Sequence, residues 1–145
     1  MSPPTISDNL IPRRILLVDD GIDNQRLIAY VLRKAGIEVS VAENGQVAVD
    51  LALAATLAGS SFDIILMDIQ MPVMDGYEAI KRLRSAGCVT PIIALTAHSM
   101  AGHRQKCLDA GCDDYMTKPF DCATLLKRLA ERVSAQSPEA NGLLR

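Results

Sequence analysis

The chain has 145 residues, with 15 Lys and Arg against 17 Asp and Glu for a formal net charge of −2. Such a length fits one domain with a single core, and so even a charge balance points to neither nucleic acid nor an acidic surface as partner. No apolar stretch approaches a membrane span, and the polar, proline-bearing N-terminus is no signal peptide, so a cytoplasmic location without membrane contact is the expectation. The four cysteines, Cys88, Cys107, Cys112 and Cys122, lack C-x-x-C spacing and have only two histidines for company. That argues against zinc and for reduced, packed thiols.

Residues 1–13 are rich in Ser, Pro and Asn and lack periodicity, which reads as a flexible lead-in or linker. Arg14 to Val18 is the first predicted strand and stops at Asp19 and Asp20. Asp23 or a neighbour caps the following helix, whose apolar positions Leu27, Ile28, Val31 and Leu32 fall at helical spacing; Gly36 closes it. Val39 to Ala42 is a short second strand. Asn44 and Gly45 open a second helix with Val47, Ala48, Leu51, Ala52 and Ala55 inward.

The branched apolar run from Phe62 to Asp68 reads as a strand buried on both faces, broken by Met71, Pro72 and by Asp75, Gly76. Asp75 caps a third helix carrying Ala79, Ile80 and Leu83, which stops near Gly87. Pro91 to Thr96 is the fourth strand, and Met100 to Ala110 a weaker helix closed by Gly111. Tyr115 to Thr117 is the fifth strand, ended by Lys118 and Pro119. Asp121 caps a last helix with Leu125, Leu126, Leu129 and Val133 inward, and residues 134–145 form a polar tail. Five strand–helix units in strict alternation imply a parallel sheet covered on both faces, joined by right-handed crossovers.

In such a sheet the carboxyl ends of all strands share one edge, where ligands bind. Strand one ends in Asp19 and Asp20, strand three in Asp68, strand four in Thr96, strand five in Lys118. Taken singly, each acid reads as a turn or cap residue. Together they are costly: two carboxylates about 4 Å apart repel by roughly 4 kcal/mol at an effective dielectric near 20. A hard divalent cation removes the conflict, and oxygen ligands that leave waters in place suit Mg²⁺. With the metal held by Asp19, Asp20 and Asp68, an Asp68 oxygen can attack phosphorus. Lys118 and the Thr96 hydroxyl are then the groups that meet the transferred oxygens.

These residues resemble the receiver domain of two-component response regulators over residues 14–133. The resemblance rests on Asp19 and Asp20, on the run from Met67 through Asp68, Gln70, Met71 and Pro72 to Asp75 and Gly76, on Ala94 to Ala97, and on Lys118 followed by Pro119. The resemblance implies a flavodoxin-like (βα)5 three-layer sandwich with sheet order 2-1-3-4-5. It further implies that Asp68 is the phosphoacceptor, that Asp19, Asp20, Asp68 and the backbone carbonyl of Gln70 bind Mg²⁺ (Mn²⁺ as an alternative), and that Lys118 is the phosphate counter-ion. Thr96 and Tyr115 are the implied switch pair. Gln70 and His98 occupy positions that tune the lifetime of the acyl phosphate, and Gly21 stands where relatives often carry a polar side chain.

The Gln70, Met71, Pro72 variant and the segment from Thr96 to Met100 are similar to receivers of hybrid sensor histidine kinases. The implied donor is a phosphohistidine on a kinase core, and the implied acceptor a histidine phosphotransfer domain. Partners are expected near the first helix or on the fourth-helix, fifth-strand, fifth-helix surface. A stand-alone receiver is the alternative. Such a domain catalyses its own phosphorylation and slow dephosphorylation without being a turnover enzyme. A haloacid-dehalogenase-like phosphatase would need a second aspartate where Gln70 stands, and a nucleotide or flavin module would need a glycine-rich loop where only Gly21 occurs.

Overall fold

The computed structural model describes residues 12–71, 73–96, 101–118 and 121–135. The readings made for the lead-in before residue 12, the tail after residue 135, His98 and Pro119 lie outside the described residues. The elements alternate as β1 (Arg14–Val18), α1 (Ile22–Lys34), β2 (Glu38–Ala42), α2 (Gly45–Leu57), β3 (Ile64–Asp68), α3 (Gly76–Ser85), β4 (Ile92–Thr96), α4 (Ala101–Ala110), β5 (Asp114–Thr117) and α5 (Cys122–Ala135). The five strands form one parallel sheet in the order β2-β1-β3-β4-β5, the flavodoxin-like arrangement.

The central strands β3 and β4 are buried at every position, as their unbroken apolar runs require when both faces are covered. Their side chains split by parity between two cores. Leu16 and Val18, Ile65 and Met67, and Ile92 and Ala94 meet Ala48 and Ala52 of α2, Ile80 and Leu83 of α3 and Cys107 of α4. Ile15 and Leu17, Ile64 and Leu66, and Met116 meet Ile28 and Leu32 of α1 and Leu125 and Leu129 of α5. Continuing that alternation past the apolar runs puts Asp19, Asp68 and Lys118 on the α1/α5 side of the sheet edge. Thr96 shares its parity with Ala94, whose register partner is Tyr115, so Thr96 and Tyr115 lie on the opposite face.

Three of the sequence readings need correction. Leu27 is 57 % exposed and Leu51 stands at the surface. The buried stripes centre on Ile28, Ala29 and Leu32 in α1 and on Ala48, Val49 and Ala52 in α2, so each leucine lies about 100° round the helix from the core. Helix α1 is capped by Gly21 with no side-chain cap bond, and Asp23 lies in its first turn. The other caps form as expected: Asn44 accepts from the Val47 N–H, Asp75 from the Glu78 N–H and Asp121 from the Thr124 N–H. Gly111 closes α4 at φ +116, with its N–H on the Leu108 carbonyl and the Cys112 N–H on the Cys107 carbonyl. Four free cysteines, three of them buried, match the reading of packed thiols.

Candidate functional site

The sheet's hydrogen-bond ladders run one step past the strands and deliver the polar residues to its carboxyl edge. The Asp19 N–H donates to the Ala42 carbonyl at 3.1 Å, the Ile69 N–H to Leu95 at 3.0 Å, and the Lys118 N–H to Thr96 at 2.7 Å. Asp19 and Asp68 are thereby held with only 1 % and 3 % of their surfaces exposed, while Asp20 faces solvent.

Each buried carboxylate is partly satisfied. Asp19 Oδ1 accepts the Gly21 N–H at 2.8 Å, and the Gln25 amide anchors the Asp19 carbonyl at 2.6 Å. Asp68 Oδ1 accepts the Gln70 N–H at 3.1 Å. The Lys118 ammonium lies 3.4 Å from Asp68 Oδ1 and 3.7 Å from Asp19 Oδ2, close enough to pair with both but long for a hydrogen bond to either. Among the described residues Asp19 Oδ2 has no hydrogen-bond partner and is buried. Burial pushes the Asp68 carboxyl above its ordinary range; Lys118 pulls it back and the neighbouring Asp19 charge adds to the rise.

Oxygen atoms from Asp19, Asp20 and Asp68 all lie within 4.8 Å of one another. At no more than that separation each pair of charges repels by at least about 3.5 kcal/mol for an effective dielectric near 20. Lys118 offers one positive charge against three negative. An orphaned buried oxygen, a surplus of negative charge and an all-oxygen donor set fit a hard divalent cation. The site thus brings together Asp19, Asp20, Asp68 and Lys118, with the Gln70 backbone gripping Asp68. Thr96 is fully buried at the adjacent strand end, and Tyr115 is half-buried against the α2/α3/α4 core. The Gln70 side chain is exposed.

Two contributors escaped the sequence reading. Gln25 carries no signal of its own, since one glutamine on a helix looks like any solvated position. For Gly76, part of the run that resembles the receiver family, the sequence shows a chain break but not the close approach. A Cβ there would lie 2.6 Å from the Asp68 carbonyl oxygen and 2.7 Å from Ile69 Cα, so only glycine lets α3 begin directly over the Asp68 backbone.

The family model for the response regulator receiver domain matches residues 15–130. The chain belongs to the response regulator receiver family. This receiver is 44 % identical over 124 residues to hybrid signal transduction histidine kinase M of Dictyostelium discoideum, covering 82 % of the chain but 5 % of that kinase. The receiver therefore spans a small part of the hybrid kinases that it matches. Among solved structures, it is 40 % identical to the receiver domain of the sensor histidine kinase PA1611 from Pseudomonas aeruginosa, a structure with magnesium coordinated in the active-site cleft. That match has a TM-score of 0.74 and covers 84 % of this chain and 98 % of that one. It is also 32 % identical, at a TM-score of 0.77, to a chain in the Saccharomyces cerevisiae complex of the histidine phosphotransfer protein Ypd1 with the receiver domain of Ssk1, covering 87 % and 92 % of the two chains. No helix among the described residues is long and apolar enough to cross a membrane.

Proposed function

We propose that this receiver accepts a phosphoryl group from a phosphohistidine onto Asp68 and passes the information on as a conformational switch, as a relay to a histidine phosphotransfer domain, or both. The observation that carries the reading is the Lys118 ammonium seated between Asp68 and Asp19 Oδ2, at ion-pair distance from both. A Mg²⁺ ion (Mn²⁺ as an alternative) held by Asp19, Asp20, Asp68 and the Gln70 carbonyl supplies charge neutralisation for the transferred oxygens.

The chain's own groups do the rest. An Asp68 carboxylate oxygen forms the new bond to phosphorus as the bond from phosphorus to the histidine nitrogen breaks, and the leaving imidazole keeps that electron pair. Lys118 and the Gln70 N–H oppose the rise that burial imposes on the Asp68 carboxyl, and Lys118 then stays beside the phosphoryl oxygens. Thr96 moves toward the modified side chain and Tyr115 follows on the same face of the sheet. Gln70 and His98 set how quickly the acyl phosphate is lost.

The unit performing this is residues 14–133, similar to the receivers of hybrid histidine kinases and cytoplasmic in placement. Its donor is a histidine kinase core. Exposed Ile22, Leu27 and Tyr30 on α1, next to the acid pair, suit an apolar partner surface there. The test is incubation of the chain with acetyl phosphate and Mg²⁺, read by intact mass. One phosphoryl group per chain, lost on Asp68→Asn and on chelation of the metal, is the expected result. An unmodified wild-type chain, or undiminished modification of the variant, overturns the reading.

A further inference from the structure

Gly45 opens α2 directly after the Asn44 cap. Its φ is not positive, so its conformation does not call for glycine. What it lacks is space. A Cβ there would lie 2.7 Å from the Met74 carbonyl oxygen, 3.0 Å from Met74 Cγ and 3.1 Å from Ala79 Cβ. The tightest of those partners is backbone, which cannot swing aside as the tip of a side chain can.

Met74 belongs to the connection between β3 and α3 and is buried in the same core as Ala48 and Ala79, with Met71 packed against that core. At its far end the connection is fixed again, where the Gly76 N–H donates to the Ile69 carbonyl at 2.9 Å and the missing Gly76 Cβ admits the Asp68 backbone. The segment is thus pinned between the start of α2 and the end of β3. Exposed Val73 sits within it at φ 70, a conformation that a β-branched residue adopts only where its surroundings force it.

We infer that Gly45 is a positioning residue for the site: by letting α2 close onto Met74 it presses the β3–α3 connection toward β3 and so fixes the Gln70 backbone against Asp68. The role of that backbone as a metal ligand rests on the function proposed above; the steric clamp itself does not.

The test compares the wild-type chain with Gly45→Ala, with Met74→Ala, and with Ala52→Gly as a control that weakens α2 away from the connection. Metal-free hydrogen exchange is read at the Gly76 amide, and Mg²⁺ affinity by calorimetry. Alanine favours helix over glycine, so without the clamp Gly45→Ala would stabilise the chain. With it, Gly45→Ala speeds exchange at Gly76 and weakens Mg²⁺ binding about tenfold or more, the range seen when an outer support of a metal ligand is removed. Met74→Ala, which loosens the same contact from the other side, speeds the same amide and decides the case should Gly45→Ala not fold. Unchanged exchange in both, or the same loss of affinity in Ala52→Gly, overturns the inference. A wild-type chain that binds no Mg²⁺ would instead defeat the proposed function, leaving the exchange comparison to decide the clamp alone.

Discussion

The Lys118 ammonium stands 3.4 Å from Asp68 Oδ1 and 3.7 Å from Asp19 Oδ2, one cation shared between two buried carboxylates. It does two opposed things: it stabilises the ionised acids, and it occupies charge that a metal would otherwise compensate. Replacing it with methionine, of similar length and without charge, separates the two. Lys118→Met is expected to lower the rate of phosphorylation by acetyl phosphate by about 10²–10³, as removal of one preorganised charge-stabilising donor does. Mg²⁺ affinity should be kept or rise. Calorimetry and mass spectrometry on the same samples test the pair of outcomes; a parallel loss of both would mean that Lys118 only holds the site together.

The burial of Asp68 has a consequence for stability. Its carboxyl is raised from the unfolded value near 3.8 chiefly by desolvation, with Lys118 opposing. An acid whose pKa is higher in the fold binds its proton more tightly there. Its contribution is therefore favourable below the unfolded pKa and is lost as pH rises through the folded one. Asp68→Asn, which carries no charge to bury, should melt above the wild type at pH 7 in chelator. The advantage should shrink as pH falls toward 3. A wild type that is the more stable at pH 7 without metal would contradict this.

Added Mg²⁺ should reverse that penalty. A ligand that binds only the folded chain stabilises it by about 2.7 kcal/mol at a hundred times its dissociation constant. Thermal melts over a Mg²⁺ series should rise accordingly, and Asp19→Asn should abolish most of the rise. The amide keeps an oxygen for the Gly21 N–H but removes the charge that faces Lys118 and the proposed cation. An Asp19→Asn chain that gains as much as the wild type would place the cation elsewhere.

The fold was legible because the two central strands are unbroken apolar runs and because Gly36 and Gly111 mark helix ends with positive φ. The acid cluster was legible by the same logic, since in a parallel sheet the residue after each strand must come to one edge. Leu27 and Leu51 were misread because apolar character does not say where a stripe is centred; the burial of small Ala29 and Ala48 decides it. The tight approaches at Gly45 and Gly76 could not be read at all, for a glycine that is needed for space leaves the same letter as one needed for a turn.

Arg84 is another residue that the sequence could not single out among the chain's basic positions. Its guanidinium donates to the carbonyls of Gly111, Cys88 and Thr90 at 2.9, 2.9 and 2.8 Å and pairs with Asp113 at 2.9 Å, joining the end of α3 to the starts of β4 and β5. A lysine has no planar fork with which to reach four acceptors. Arg84→Lys should cost about 1–3 kcal/mol, the penalty for leaving part-buried carbonyls unpaired. Urea unfolding would show a lower midpoint at an unchanged slope. A midpoint within error of the wild type would mean that water satisfies those carbonyls as well.

Tyr115 lies on the face of the sheet that Thr96 shares, against the α2/α3/α4 core and away from the acids. With its ring packed against that core, Tyr115 is expected to report the chemistry rather than to take part in it. Tyr115→Ala should therefore leave the phosphorylation rate within about twofold of the wild type. It should instead erase most of the difference in partner affinity between the phosphorylated and unmodified chains. That difference is the quantity to measure, because a partner with equal affinity for both states cannot read the switch. If the affinity ratio survives the substitution, the signal leaves the site by another route, the α1 surface beside Asp20 being the next to examine.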